Sequence, residues 1–425
     1  MDIESKSIIH EDLTPGLTIV AENIPRYYSF SLGIFINRGS RDEVPKINGI
    51  THLIEHMLFK GTRRKTALEI VRMIEGLGGS FDAFTTKENL VIVTKFLSEH
   101  LISIFDLVLE MLLESKLEKD DLEKEKSVIL EEIKSSNEDP GEYVFDLLFK
   151  AIFNTHAMGM PITGTTESVS NIDLKTVSAH YREMLQNKMT IALSGNFQYE
   201  EFVKLARNRF AGYKLNTNVR KKPDAFVSSS IVQTRKDISQ VHLALAIPAV
   251  EYASPIRHHL ILLSTILGGG MSSRLFQRLR EGEGLVYDVH SFLDLYCDCG
   301  VFGFYFNCDK KNLKKAIECL KFIFDEINQR KFDKEEIKIA KTYVTGNLLL
   351  GLENSTNRML RLGREFSYLG KITPITDTVD KIKNITDDEL NNLIAPYFNL
   401  SNYSIAGVGP IKEDELNNLL DIIKG

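Results

Sequence analysis

Apolar residues along this chain recur with two periods. Phe30, Leu32, Ile34 and Ile36 occupy every second position, the pattern of a half-buried strand. The run from Thr51 to Phe59 instead has helical length and predicts a helix. A second helix (67–77), strands within 81–94 and a helix from 101 to 113 follow. The order then repeats. Val241, Leu243, Leu245 and Ile247 alternate, and helices at 258–267 and 276–280, strands within 287–307 and a helix at 313–327 come after them. Ala179-His180-Tyr181 and Ala395-Pro396-Tyr397 each precede a β-rich run, ending in Gly195 or Gly409. A repeat of about 210 residues implies two related α/β domains rather than a solenoid. The expected boundaries are residues 1–215, a polar linker at 216–230 carrying Arg220-Lys221-Lys222-Pro223, and residues 231–425.

Inside the first predicted helix lies His52-Leu53-Ile54-Glu55-His56, an H-x-x-E-H array. His52 and His56 stand one turn apart on one face, where both imidazoles can reach one metal ion. Glu55 falls beside them, placed to act on a water without being a ligand. Leu53, Ile54, Met57, Leu58 and Phe59 make the helix apolar on most sides. Burying two histidines and a carboxylate there without a partner is expensive, and a metal removes that cost. Two neutral imidazoles with a nearby base are the equipment of zinc hydrolysis. The second copy has no such array. Its matching helix reads His258-His259-Leu260-Ile261-Leu262, and adjacent histidines diverge by about 100°.

A third ligand is needed. The helix predicted over 122–133 offers Glu125 and Glu132, seven residues apart on one face, with Glu131 about 100° away. Here the chain resembles the M16 metallopeptidases, the pitrilysin, insulin-degrading and mitochondrial-processing-peptidase family. That family follows H-x-x-E-H with a glutamate ligand some 76 residues beyond the second histidine, and Glu132 has this spacing from His56. The family's second glutamate, seven residues earlier, falls on Glu125, which suits orienting a ligand from behind. His56-Met57-Leu58-Phe59-Lys60-Gly61-Thr62, Asn137-Glu138-Asp139-Pro140 and Pro161-Ile162-Thr163-Gly164-Thr165 continue the likeness. Arg280 and Tyr287 fit the family's R-x-x-x-G-L-x-Y element, whose Arg and Tyr contact substrate near the zinc. Asp82-Ala83-Phe84-Thr85 stands where the family has N-A-x-T, a segment beside which an extended substrate adds. Asp82 departs from that pattern, because an ionised carboxylate accepts hydrogen bonds but cannot donate them. Gly282 and Glu283 replace a usually basic pair.

The resemblance implies an α+β fold of two homologous domains, each a largely antiparallel sheet backed by helices. The first would carry the metal and the second would bind substrate. It implies a zinc endopeptidase with one zinc per chain, held by His52, His56 and Glu132, and with Glu55, Tyr287 and Arg280 catalytic. It also implies a closed chamber of four such domains. A chain with two domains then needs a partner, most simply a second copy, alternatively an inactive homologue. Respiratory-complex core subunits related to the family typically have a broken motif, whereas every ligand and the base are present here. A short lyase using H-x-x-E-H would leave the duplication unexplained.

Composition narrows the partners. With 43% apolar and 26% charged residues this is an ordinary globular chain, and its net charge of −6 argues against nucleic acid and suits cationic peptides. No apolar run reaches membrane-spanning length. The start, Met1-Asp2-Ile3-Glu4, lacks the basic and apolar regions of a signal peptide, so the cytoplasm is the expected location. Cys297, Cys299, Cys308 and Cys319 lack the spacing of a metal cluster and are expected to be reduced and structural, with Cys297 and Cys299 on one face of a strand.

Overall fold

The computed structural model describes residues 8–213, 215–216, 220–224, 226 and 228–424. The acidic start and residues 217–219, 225 and 227 of the expected linker lie outside the described residues. Among the described residues eleven strands form two sheets. The first comprises β1 (Ile8–Thr14), β2 (Leu17–Asn23), β3 (Ser29–Ile36), β4 (Ser80–Thr85), β5 (Leu90–Leu97) and β6 (Met189–Gly195), in the order β1-β2-β6-β3-β5-β4. The second comprises β7 (Ser230–Thr234), β8 (Gln240–Ala249), β9 (Asp288–Leu295), β10 (Gly300–Asp309) and β11 (Ser404–Gly409), in the order β7-β11-β8-β10-β9.

Apart from β1 the two orders coincide strand for strand. β2 lies parallel to β6 as β7 does to β11, and the remaining pairs in each sheet are antiparallel. The repeat in hydrophobic pattern is therefore a repeat in topology. Each sheet is largely antiparallel and backed by helices, the α+β architecture expected.

The first helices in sequence are α1 (Ile50–Leu58), α2 (Ala67–Gly76), α3 (Leu101–Leu113), α4 (Lys119–Glu138) and α5 (Pro140–Phe153), and α1 and α4 carry the site. Leu53, Ile54, Met57 and Leu58 of α1, Ile104 and Val108 of α3, and Leu122 and Ile129 of α4 are fully buried against Leu32, Ile34 and Ile92 of the sheet. Each such side chain contributes roughly 1.5–3 kcal/mol relative to exposure.

The units of packing are not contiguous in sequence. One takes the chain up to Lys134, then Met160–Lys221 and Leu349–Ile375; the other takes Ser135–Gly159, Lys222–Leu348 and Thr376 onward. Each sheet thus has its opposite face covered by a helix from the other half of the sequence. In the first unit the helix Ser355–Leu369 lays Met359, Leu362 and Phe366 on Val20, Phe35, Val91 and Ala192. A Cβ at Gly363 would sit 2.0 Å from the Phe35 ring, so only glycine allows this approach. In the second unit α5 lays Val144, Leu147 and Leu148 on Ala244, Ala246, Val301, Ala406 and Val408.

The basic stretch near residue 220 is more than a polar connector. Arg220 donates to both carboxylate oxygens of Asp42 at 2.9 and 2.8 Å, and the Lys221 carbonyl accepts from Arg41 at 3.1 Å. Arg41 also forms a buried ion pair with Glu88 at 2.6 Å. Cys297 and Cys299 sit in the turn between β9 and β10 rather than within a strand, and none of the four cysteines is in a disulfide. Among the described residues no helix is long and apolar enough to cross a membrane.

Candidate metal centre

Helix α1 begins under two constraints. Gly49 caps it with φ 91°, and a Cβ there would lie 2.5 Å from the Thr163 carbonyl oxygen. The buried carboxylate of Glu43 accepts hydrogen bonds from the Gly49 and Thr51 amides at 2.7 and 2.8 Å and from the Asn48 side chain at 3.0 Å. A negative group at a helix N-terminus satisfies orphan amides and complements the helix dipole. Burial nonetheless pushes the Glu43 carboxyl upward, against the pull of those hydrogen bonds. Periodicity gives no hint of Glu43, because it acts from a loop.

The helical period then sorts the array. Ile50, Thr51, Leu53, Ile54, Met57 and Leu58 are buried, while His52, Glu55 and His56 share the half-exposed face. Facing them, α4 buries Leu122, Glu125, Ile129 and Ile133, and this same side carries Glu132. Glu131 is exposed.

His52, His56 and Glu132 each offer one ligand atom, all within 4.8 Å of one another. Nε2 of His52 lies 3.8 Å and Nε2 of His56 3.7 Å from Oε2 of Glu132. These separations are too long for hydrogen bonds. They approach the roughly 3.4 Å between donor atoms bonded to one tetrahedral zinc. Two imidazoles and a carboxylate suit zinc, not magnesium or calcium. Burial, then the neighbouring His56, lowers His52 to about 4, so its lone pair is available at neutral pH. Its Nδ1 is buried with no hydrogen-bond partner. The residues present fit a zinc ion.

Nδ1 of His56 meets Oε2 of Glu125 at 3.0 Å, and Nζ of Lys60 lies 2.6 Å from Oε1 of the same carboxylate. Glu55 is held from another side, where Thr85 Oγ1 donates to its Oε2 at 2.5 Å. Burial raises Glu55 to about 7; the Thr85 hydrogen bond and His56 oppose the rise, while Asp82 and Glu132 add to it.

Asp82, Ala83, Phe84 and Thr85 all lie on β4, which among the described residues pairs with β5 alone and forms the sheet edge. Asp82 and Phe84 are exposed, whereas Ala83 and Thr85 turn inward. The Asp82 carboxylate accepts the Ala83 amide at 2.9 Å. Arg280 and Tyr287 belong to the second unit. Arg280 lies on a helical segment, Phe276–Gly282, with its guanidinium 5.0 Å over the Phe276 ring. Tyr287 immediately precedes β9, and its amide is bonded to the Asn307 carbonyl at 3.0 Å. Its side chain is 73% exposed.

Residues 18–166 match the family described as insulinase (peptidase family M16), and residues 171–344 match the peptidase M16 inactive domain. The chain is 33% identical over 412 residues to an uncharacterized zinc protease of Mycobacterium leprae, covering 96% of this chain and 92% of that one. It is 32% identical over 398 residues to an uncharacterized zinc protease of Bacillus subtilis, covering 93% and 96%. In fold it is similar to the peptidase M16 inactive domain from Pseudomonas fluorescens, with a TM-score of 0.87 at 20% identity over 95% of this chain and 98% of the other. With both family domains matched and such relatives aligned over nearly its whole length, the chain belongs to peptidase family M16.

Proposed function

We propose that this chain is a zinc-dependent endopeptidase that cleaves unfolded peptides or presequence-like segments inside a closed chamber. The observation that carries the reading is the convergence of the His52, His56 and Glu132 donor atoms beside Glu55. The two aligned relatives are named zinc proteases, which supports the same metal and reaction here. His52, His56 and Glu132 would hold one zinc per chain, whose contribution is Lewis acidity toward the scissile carbonyl.

Glu55 is the general base. It removes a proton from the attacking water and later delivers it to the leaving amine. A carboxyl near 7 suits both steps, and the Thr85 hydrogen bond keeps it aimed. Glu125 orients His56 through Nδ1. An extended peptide adds as a further strand beside β4, because that edge has no strand beyond it among the described residues. Tyr287 and Arg280 of a second copy of the chain would stabilise the developing oxyanion. The chamber is completed by a second copy of the chain, in the cytoplasm.

Digestion of casein and of a short-peptide panel, with and without a chelator, tests this. Hydrolysis by wild type that is lost with chelator, restored by zinc and absent in Glu55→Gln with zinc still bound is the expected result. Chelator-resistant cleavage, or no cleavage by zinc-loaded wild type, would overturn it.

A further inference from the structure

Glu125 is 6% exposed, and its two oxygens serve different partners. Oε2 meets Nδ1 of His56 at 3.0 Å, and Oε1 meets Nζ of Lys60 at 2.6 Å. Lys60 reaches that position for a local reason. Helix α1 ends at Leu58, and the chain continues through one more turn in which the Lys60 amide bonds to the Met57 carbonyl at 3.1 Å. Lys60 is thus four residues past His56, and the two side chains reach the same carboxylate. His52 has no equivalent: its Nδ1 is buried and without a hydrogen-bond partner. Of the two histidines, only His56 is therefore held from behind.

We propose that Lys60 is a positioning residue of the metal centre. It anchors one oxygen of Glu125 so that the other stays on Nδ1 of His56. That bond fixes the His56 tautomer with its proton on Nδ1, leaving the Nε2 lone pair directed at the His52–Glu132 cluster. The inference rests on the zinc reading above. A buried carboxylate with a single partner can swing between orientations, whereas one bonded at both oxygens has a single setting. With Glu125 buried, this pair also differs from the exposed ion pairs that contribute little.

Zinc affinity, measured by competition with a chromophoric chelator, tests it on wild type, Lys60→Met, Lys60→Arg, Glu125→Gln and the Lys60→Met/Glu125→Gln double variant. Glu125→Gln is expected to weaken zinc about 10–100-fold, the usual cost of losing such a partner, and Lys60→Met about tenfold. Lys60→Arg keeps the charge and restores most of the affinity. The double variant should bind no more weakly than Glu125→Gln alone, because Lys60 acts only through Glu125. Nitrogen-15 shifts of labelled His56 in metal-free protein should report the Nδ1-protonated tautomer in wild type and a mixture in Lys60→Met. If Lys60→Met binds zinc as wild type does, or if the two losses add, the inference is wrong while the zinc reading stands. If wild type itself takes no zinc, the functional reading falls and this inference falls with it.

Discussion

Thr85 Oγ1 donates a 2.5 Å hydrogen bond to Oε2 of Glu55, joining the last residue of an edge strand to a carboxyl group on α1. Of the four β4 residues expected to touch substrate, Thr85 is the one so engaged with the proposed base. Its hydroxyl lowers a carboxyl that burial raises. Removing it in Thr85→Val leaves Glu55 protonated to higher pH, so the acid limb of kcat/KM should move upward by about one unit. At neutral pH the rate should fall roughly tenfold, and most of it should return in alkaline buffer. Zinc content should not change. An unshifted pH profile would show that Thr85 does not act on Glu55.

The placement of Glu132 and Glu131 on α4 separates two adjacent carboxylates cleanly. Glu132 meets both histidines, whereas Glu131 is exposed. Glu132→Gln should reduce zinc affinity by at least about 100-fold, and Glu131→Gln should leave it unchanged. Glu125→Gln should lie between them. Elemental analysis of dialysed protein, backed by chelator competition, measures all three. Equal zinc retention in the Glu132 and Glu131 variants would remove Glu132 from the ligand set.

Tyr287 is 73% exposed in the unit that carries no metal array. In the proposed two-chain chamber it acts on the zinc site of the partner chain. Glu55→Gln and Tyr287→Phe should each be inactive alone, yet a mixture that exchanges subunits should regain about a quarter of wild-type activity, one intact site in each mixed dimer. Failure to recover despite demonstrated exchange would mean that Tyr287 serves its own chain. A chain that stays monomeric while active would exclude the chamber altogether.

His180 lies behind the same helix, with Thr51 Oγ1 3.3 Å from its Nε2 and the Arg38 guanidinium within 3.4 Å of its ring. Burial, with Arg38 adding to it, lowers His180 to about 3. Folded protein therefore keeps this ring neutral where unfolded chain protonates it near 6.5. Its contribution is fully present above about 6.5 and is lost progressively as pH falls toward 3. His180→Gln should flatten that acid branch, narrowing the pH dependence by on the order of 2–4 kcal/mol. Urea midpoints measured across this range, for both proteins without zinc, give the comparison. Parallel curves would show that His180 titrates normally in the folded state.

The H-x-x-E-H face was legible in the sequence because it depends only on the 3.6-residue period, and His52, Glu55 and His56 share that face in the structure. The repeated order of elements was legible for a similar reason: alternation and helical runs are local, and they recur in two sheets of matching strand order. What lay beyond reach was set by contacts distant along the chain. Glu43 caps α1 from a loop, Lys60 meets Glu125 across 65 positions, and Thr85 meets Glu55 across a strand and a helix. The two helices that change units show the limit most plainly. Pro140–Phe153 and Ser355–Leu369 each present an apolar stripe, and a stripe states that a face must be buried without stating against what. Shape made that choice: the notch at Gly363 fits the Phe35 ring of the first sheet, and Val144 and Leu148 fit the small Ala244, Ala246 and Ala406 of the second. Complementarity of that kind exists only once both surfaces are folded.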